Sequence, residues 1–211
     1  MYLDQVSFGV LTFNRKFFLN NWLKTLEETT NLNIGELIII DRSSTDGTSE
    51  LISHFHEKHP DLKFTHIVEE QSLNRALGWN EIRETAEFDW TFMSHDDAYF
   101  LNGWNERIDS LTEKFKVILF GGFFMWMSCR EAWELVGEFD AKFIDGKFED
   151  LDWFTRMNDL SIPGFYKSIP YPETKLVHDY LRSRSEVTLQ YGKEARLHFI
   201  EKYGRDPQPI F

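Results

Sequence analysis

A chain of 211 residues, 42% apolar and 27% charged, is long enough to bury one sizeable core and is no small binding peptide. Acidic residues outnumber basic ones 35 to 23, a formal net charge of −12, which disfavours wholesale wrapping by nucleic acid or adhesion to an anionic membrane. The charge is uneven: residues 1–160 carry 15 basic and 29 acidic side chains, whereas residues 161–211 carry 8 and 6 and tilt basic. The single cysteine, Cys129, excludes an internal disulfide and fits a reducing compartment; within the apolar run Phe123–Cys129 it reads as a small packed hydrophobe. The start, Met1-Tyr2-Leu3-Asp4-Gln5, has no basic, apolar leader pattern. The most apolar stretch, Val117–Met127, is about half the length that spans a bilayer, so no transmembrane segment and a cytoplasmic location are expected.

Taken in chain order, Val6–Phe13 reads as a strand and Phe17–Glu28 as a helix. Glu36–Asp41 follows as a strand, then Thr48–Lys58 as a helix with Asp46 or Thr45 as its N-cap. Lys63–Glu69 is a strand, Ser72–Ala86 a helix and Trp90–Ser94 a strand. Such alternation predicts an α/β fold, a mostly parallel sheet flanked by helices, with ligands outside the carboxyl ends of the strands. Beyond residue 100 the pattern loosens: a helix near Trp104–Phe115, a buried strand Val117–Met127 and a helix Arg130–Val136 are expected. A polar loop then leads to Glu149-Asp150, followed by a helix Leu151–Leu160, a strand near Phe165–Ile169 and a C-terminal helix Val187–Tyr203. No repeat or low-complexity linker divides the chain, so residues 1–211 read as one domain with an irregular C-terminal portion.

Polar residues at strand ends are the first candidates for chemistry. The first strand ends in Thr12-Phe-Asn14-Arg15 and the second in Asp41-Arg-Ser-Ser-Thr-Asp-Gly-Thr48. Asp41 can accept from a base N–H or a ribose hydroxyl, whereas Ser44–Thr48 serve equally well as caps of the next helix. The fourth strand ends in Ser94-His95-Asp96-Asp97, where adjacent carboxylates must be solvated, capped or shared with a cation. Magnesium and manganese take one or two carboxylates plus substrate phosphates, which suits such a pair better than zinc does. A second acidic group, Glu149-Asp150-Leu-Asp152, precedes Arg156 at a spacing that allows an Asp152–Arg156 ion pair, and acidic residues also favour a first helical turn. At least one of these carboxylates is placed to act as a base. Aromatic residues reach 16%, mostly for the core, with Trp126 the first candidate for an acceptor platform. His54, His56, His59 and His66 show no metal-ligand spacing.

In combination these motifs resemble the inverting nucleotide-sugar glycosyltransferases of the GT-A fold, the family 2 type, over roughly residues 5–180. Thr12-Phe13-Asn14-Arg15 is similar to the family's Thr-Tyr-Asn-Arg, and Asp41–Thr48 to its Asp-Asp-Gly-Ser-Thr-Asp-Gly-Thr. Asn80 and Ala86 resemble its Asn-x-Gly-Ile-x-x-Ala helix, with Ile82 at the glycine. His95-Asp96-Asp97 stands at its Asp-x-Asp, Glu149-Asp150 at its Glu-Asp, and His178 at a later histidine. His95 replaces the first Asp of the metal motif and Arg42 the second Asp of the nucleotide motif. The resemblance implies a GT-A (Rossmann-like) fold whose residues 1–100 bind the nucleotide sugar and whose residues 101–211 bind the acceptor. It implies that Thr12, Asn14, Arg15, Asp41, Asn80 and Asp96 contact the donor, that Asp97 and His178 hold Mn2+ or Mg2+, and that Asp150 is the general base, with Glu149 and Asp152 beside the acceptor.

On that reading a metal-bridged UDP-sugar gives up its sugar to an acceptor hydroxyl with inversion. Arg182 and Arg184 could fold over the diphosphate, since guanidinium groups suit bidentate phosphate contacts. A glycan or glycoconjugate acceptor is favoured over nucleic acid, with a hydroxylated nucleic-acid base as the minority case. The alternative is a catalytically silent nucleotide-sugar-binding or assembly module, which the His95 and Arg42 replacements motivate. A phosphoryl-transfer enzyme ranks last, because no Gly-x-x-x-x-Gly-Lys loop is present.

Overall fold

The computed structural model describes residues 2–69, 74–143, 147–170, 175–178 and 188–207. Its first hundred residues alternate as β1 (Val6–Thr12), α1 (Lys16–Thr30), β2 (Glu36–Asp41), α2 (Thr48–Lys58), β3 (Phe64–Val68), α3 (Arg75–Thr85) and β4 (Trp90–His95). There follow β5 (Ala98–Phe100), α4 (Ile108–Thr112), β6 (Val117–Phe120), β7 (Met125–Cys129), α5 (Arg130–Val136), α6 (Glu149–Asp159), β8 (Tyr166–Ile169), β9 (Leu176–His178) and α7 (Thr188–Tyr203). Seven strands form one sheet in the order β3-β2-β1-β4-β7-β6-β8, in which β7 runs against its neighbours and the other pairings are parallel.

Every residue of β1 and β2 is buried, which explains why these strands read as unbroken apolar runs rather than as alternating ones. Helix α3 lies so close to β1 that a Cβ on Gly9 would stand 2.2 Å from Ile82 Cγ2. The apolar core extends from Val6 on β1 to Ile169 on β8, so the two halves of the sheet share it.

Three expectations are corrected. The apolar run Val117–Met127 is not one strand but two, because Gly121 (φ 72°) and Gly122 (φ 129°) turn the chain into the antiparallel pair β6–β7. The helix expected from Trp104 to Phe115 contracts to α4; Gly103 (φ 79°) sets a turn before it, and the Trp104 indole is drawn to Thr29 Oγ1 at 3.2 Å. Helix α6 begins at Glu149 rather than Leu151, since Phe148 adopts φ 69° and ends the preceding loop there. The two-stranded sheet β5–β9, which sets Ala98 opposite His178, had no sequence signal, as three-residue strands are too short to show a period.

Helix α7 packs away from the main core, on a small cluster of Phe143, Ala195 and Phe199 flanked by Phe148, Leu151 and Tyr203. Polar contacts fasten it. Lys202 Nζ lies 2.7 Å from both Asp140 Oδ2 and Asp152 Oδ1, and the Tyr203 hydroxyl donates to Asp152 Oδ1 at 2.7 Å. Arg156 Nε donates to Asp152 Oδ2 at 3.0 Å, one turn along α6. Burial pushes Asp140 up, but hydrogen bonds from Lys202, Lys142 N–H and His198 outweigh it and hold the carboxyl well below its usual range. Asp152→Asn should therefore cost about 2–4 kcal/mol in denaturant unfolding, because it strips a buried charge from two cations and a hydroxyl. A loss under about 0.5 kcal/mol would show that the network is not what docks α7.

Candidate active site

The strand order reverses at β1, with β2 on one side and β4 on the other, and the carboxyl ends at such a switch point are where ligands bind in open α/β sheets. The loops after β1 and β2 are laced together at this edge. Asn14, at φ 51°, donates its backbone N–H to Ser44 Oγ at 2.8 Å and accepts from Thr45 N–H at 2.7 Å. Asp46 accepts from Lys16 N–H at 2.9 Å, capping α1 from the neighbouring loop. Asp41 is fully buried, accepting from Ser44 N–H at 3.0 Å and from the Ser49 hydroxyl. Beside it Arg42 pairs with Glu69 at 3.5 Å, and a hydrogen bond with Glu69, helped by burial, pushes Glu81 up to about 7.

The carboxylates that end β4 are buried and bridged by one guanidinium. Arg15 Nη2 donates to Asp97 Oδ2 at 2.8 Å, while its Nε lies 3.0 Å from Asp96 Oδ1 as an ion pair without hydrogen-bond alignment. The Thr12 hydroxyl donates to Asp96 Oδ2 at 2.9 Å. Burial and neighbouring Asp97 push Asp96 up to about 7 against the pull of Arg15 and Thr12. His95 stacks on Trp79, rings 5.7 Å apart, and its Nδ1 is 4.0 Å from Asp97 Oδ1. Among the described residues no three His, Cys, Asp or Glu side chains converge to hold a metal.

The first turn of α6 supplies the second acidic pair. Glu149 is 3% exposed, and its Oε2 has no hydrogen-bond partner among the described residues. Burial, with Asp150 beside it, pushes Glu149 up to about 7; burial also raises Asp150, whose Oδ1 accepts from Leu151 N–H at 2.8 Å. The charge of Arg75, at the start of α3, opposes these shifts on Glu149, Asp150 and Asp96 alike. Sequence reasoning missed Arg75. Its only signal was a lone cation at the start of the predicted helix that precedes the acidic strand end.

Three expected site residues serve the scaffold instead. The Asn80 amide exchanges two hydrogen bonds with the Phe139 backbone, at 3.0 and 2.9 Å, and so ties α3 to the loop after α5 rather than to a donor. Trp126 is 1% exposed beneath Trp79, Phe123 and Phe139, so it presents no face to a sugar, although its indole N–H lacks a partner among the described residues. Asp152 is 0% exposed and saturated by Arg156, Lys202 and Tyr203, which removes it from acceptor binding. Arg182 and Arg184 lie outside the described residues, and of His178 only the backbone position opposite Ala98 is described.

The sequence profile of glycosyl transferase family 2 matches residues 7–165. The chain belongs to this family. No curated protein matches it. Among solved structures it superimposes on the mannosyltransferase PcManGT from Pyrobaculum calidifontis, in complex with GDP-Man and Mn2+, with a TM-score of 0.70 at 16% identity over 97% of this chain and 66% of that one. It also superimposes on S. aureus TarS (TM-score 0.64, 14% identity, 79% of this chain and 35% of that one) and on TarS 1–349 with UDP-GlcNAc (TM-score 0.63, 13% identity, 97% and 68%). The fold is thus GT-A. The family 2 chain spans about a third to two thirds of the length of these structures.

Because Arg75 favours the ionised form of Glu149, Arg75→Ala should raise the Glu149 titration midpoint above about 7, as read by carboxyl 13C NMR. A midpoint unchanged or lowered would remove Arg75 from the site. The raised carboxyl also fixes a stability trend. Glu149 holds its proton in the folded chain up to about 7 but loses it near 4.5 when unfolded, so folding stability falls as pH rises between those values. Glu149→Gln should accordingly be more stable than the parent at pH 8, on the order of 1–3 kcal/mol, with the difference gone near pH 4. Equal stabilities at both pH values would contradict the buried, proton-holding carboxyl.

Proposed function

We propose that the chain transfers a sugar from a UDP-sugar to an acceptor hydroxyl in one inverting displacement, assisted by Mn2+ or Mg2+, with Asp150 as the general base. The observation that carries this reading is the pair of acidic groups on a GT-A sheet: Asp96-Asp97 directly after β4, held by Arg15, and Glu149-Asp150 in the first turn of α6. A structural scaffold has no need of three buried carboxylates, Asp96, Asp97 and Glu149, gathered in two such motifs.

Residues 1–100 serve the donor. Thr12 and the loop that Asp41 and Asn14 organise form the nucleoside end, and Arg15 serves the diphosphate. The residues present suit a hard divalent ion. Asp97 offers carboxylate oxygen, His95 an imidazole 4.0 Å away, and the β5–β9 pairing sets His178 one residue from Asp97 in register. Bound there, such an ion supplies charge stabilisation to the departing diphosphate. The chain's own task is to bind, orient and deprotonate. Leu151 N–H fixes the Asp150 carboxylate, and burial makes it a stronger base than an exposed one. The proton passes from the acceptor hydroxyl to Asp150 as that oxygen attacks the anomeric carbon opposite the leaving UDP. Glu149 Oε2, buried and without a partner among the described residues, is suited to accept from a neighbouring acceptor hydroxyl.

A net charge of −12 favours a glycan or glycoconjugate acceptor over nucleic acid. Among the described residues no helix is long and apolar enough to cross a membrane. With Cys129 buried and unpaired, a cytoplasmic setting is the simplest assignment.

UDP release from a panel of UDP-sugars, with acceptor glycans present, tests the reading. Asp150→Asn should lower kcat about 10²–10⁴-fold while UDP affinity changes by less than about twofold. Turnover retained in Asp150→Asn would displace the base. UDP binding with no turnover of any donor would favour the silent-module alternative.

A further inference from the structure

We propose that Arg15 is an exchangeable counter-ion, which holds the Asp96-Asp97 carboxylates itself and releases them to a divalent cation only when a nucleoside diphosphate gives its guanidinium another anion. The inference rests on the proposed role of Asp97 as a metal ligand, and goes beyond it by making metal and donor binding interdependent.

The geometry sets up competition at one carboxylate oxygen, Asp97 Oδ2. Arg15 Nη2 occupies Asp97 Oδ2 at 2.8 Å and Nε stands 3.0 Å from Asp96 Oδ1, while Thr12 takes Asp96 Oδ2 at 2.9 Å. A cation approaching Asp97 Oδ2 meets the guanidinium at the same oxygen, and two positive charges that close, with buried carboxylates between them, repel strongly. Removing Arg15 outright would leave two adjacent carboxylates, 4% and 3% exposed, without their cation. Neither Arg15 alone nor the ion alone therefore serves both ligands. A diphosphate resolves the conflict. Arg15 sits at the loop end just before α1, its side chain 27% exposed and its guanidinium carbon 4.5 Å from the Phe18 ring centroid, so it can turn outward without unpacking the core. Phosphate oxygens match its fork as well as carboxylates do. After the exchange every charge is still paired: the carboxylates with the ion, and the guanidinium with phosphate.

Mn2+ titrations of the full chain, followed by electron paramagnetic resonance of free Mn2+, test this without requiring turnover. They are run alone, with UDP and with uridine, on the parent, Arg15→Gln, Arg15→Lys and Asp97→Asn. The parent should bind Mn2+ at least about tenfold more tightly with UDP than without, and uridine should have no effect. In Arg15→Gln, Mn2+ alone should bind about tenfold more tightly than in the parent, and the gain from UDP should shrink to about threefold or less. Arg15→Lys, which keeps the charge but not the fork, should fall between. Mn2+ should also raise the Tm of Arg15→Gln more than that of the parent. The same UDP gain in parent and Arg15→Gln overturns the exchange while leaving the metal site intact. If Arg15→Gln does not fold, Arg15→Lys decides: a UDP gain equal to the parent's overturns the proposal. Mn2+ binding unaffected by Asp97→Asn, or absent throughout, removes the metal reading and the exchange together.

Discussion

Like charges gathered in a buried place must be compensated, and that constraint organises this molecule. Asp96 and Asp97 end a buried strand, Glu149 and Asp150 open a helix, and burial pushes Asp96, Glu149 and Asp150 toward the protonated form. Two arginines oppose it: Arg15 by direct contact with the pair after β4, and Arg75 through its charge. Compensation is incomplete, as the raised values of about 7 for Asp96 and Glu149 record. A cation brought to this edge would favour the ionised form of these carboxyls, which is the chemistry the proposed donor site needs.

The scaffold exists to keep that edge in place. The reversal of strand order at β1 sets the switch point, and α3 presses so tightly on β1 that Gly9 has no room for a side chain. The loops after β1 and β2 brace each other through Asn14, Ser44, Thr45 and Asp46, so this edge is built from mutually capped turns. In the C-terminal half, α7 grips α6 through Asp152, two residues beyond Asp150, and the Asn80–Phe139 clamp fixes the loop after α5. Side chains that read as substrate contacts thus brace the elements that carry the proposed ones.

Legibility in the sequence followed local signal. The parallel half was readable because β1, β2 and β4 are rich in apolar residues and alternate with helix-like segments. The resemblance to family 2 followed from several motifs in order rather than from any one. What stayed hidden depended on tertiary contact. Nothing local distinguishes Asp152, saturated by a helix fifty residues away, from Asp150, two positions earlier. Trp126 reads as a possible sugar platform until its faces are found against Trp79 and Phe139. Arg75 belongs to no motif, and only the fold brings its charge to bear on both carboxylate pairs. The hairpin at Gly121-Gly122 was legible in its glycines, yet the apolar run around them outweighed that signal.

The central claim, that this edge is a nucleotide-sugar site with its ion at Asp97, is tested most directly by crystals grown with UDP and Mn2+ and measured at a wavelength where manganese scatters anomalously. The account predicts one strong anomalous peak against Asp97, with the diphosphate between it and Arg15 and the uracil near the Asp41 loop. Manganese away from Asp97, or UDP bound away from the carboxyl ends of β1, β2 and β4, would contradict it.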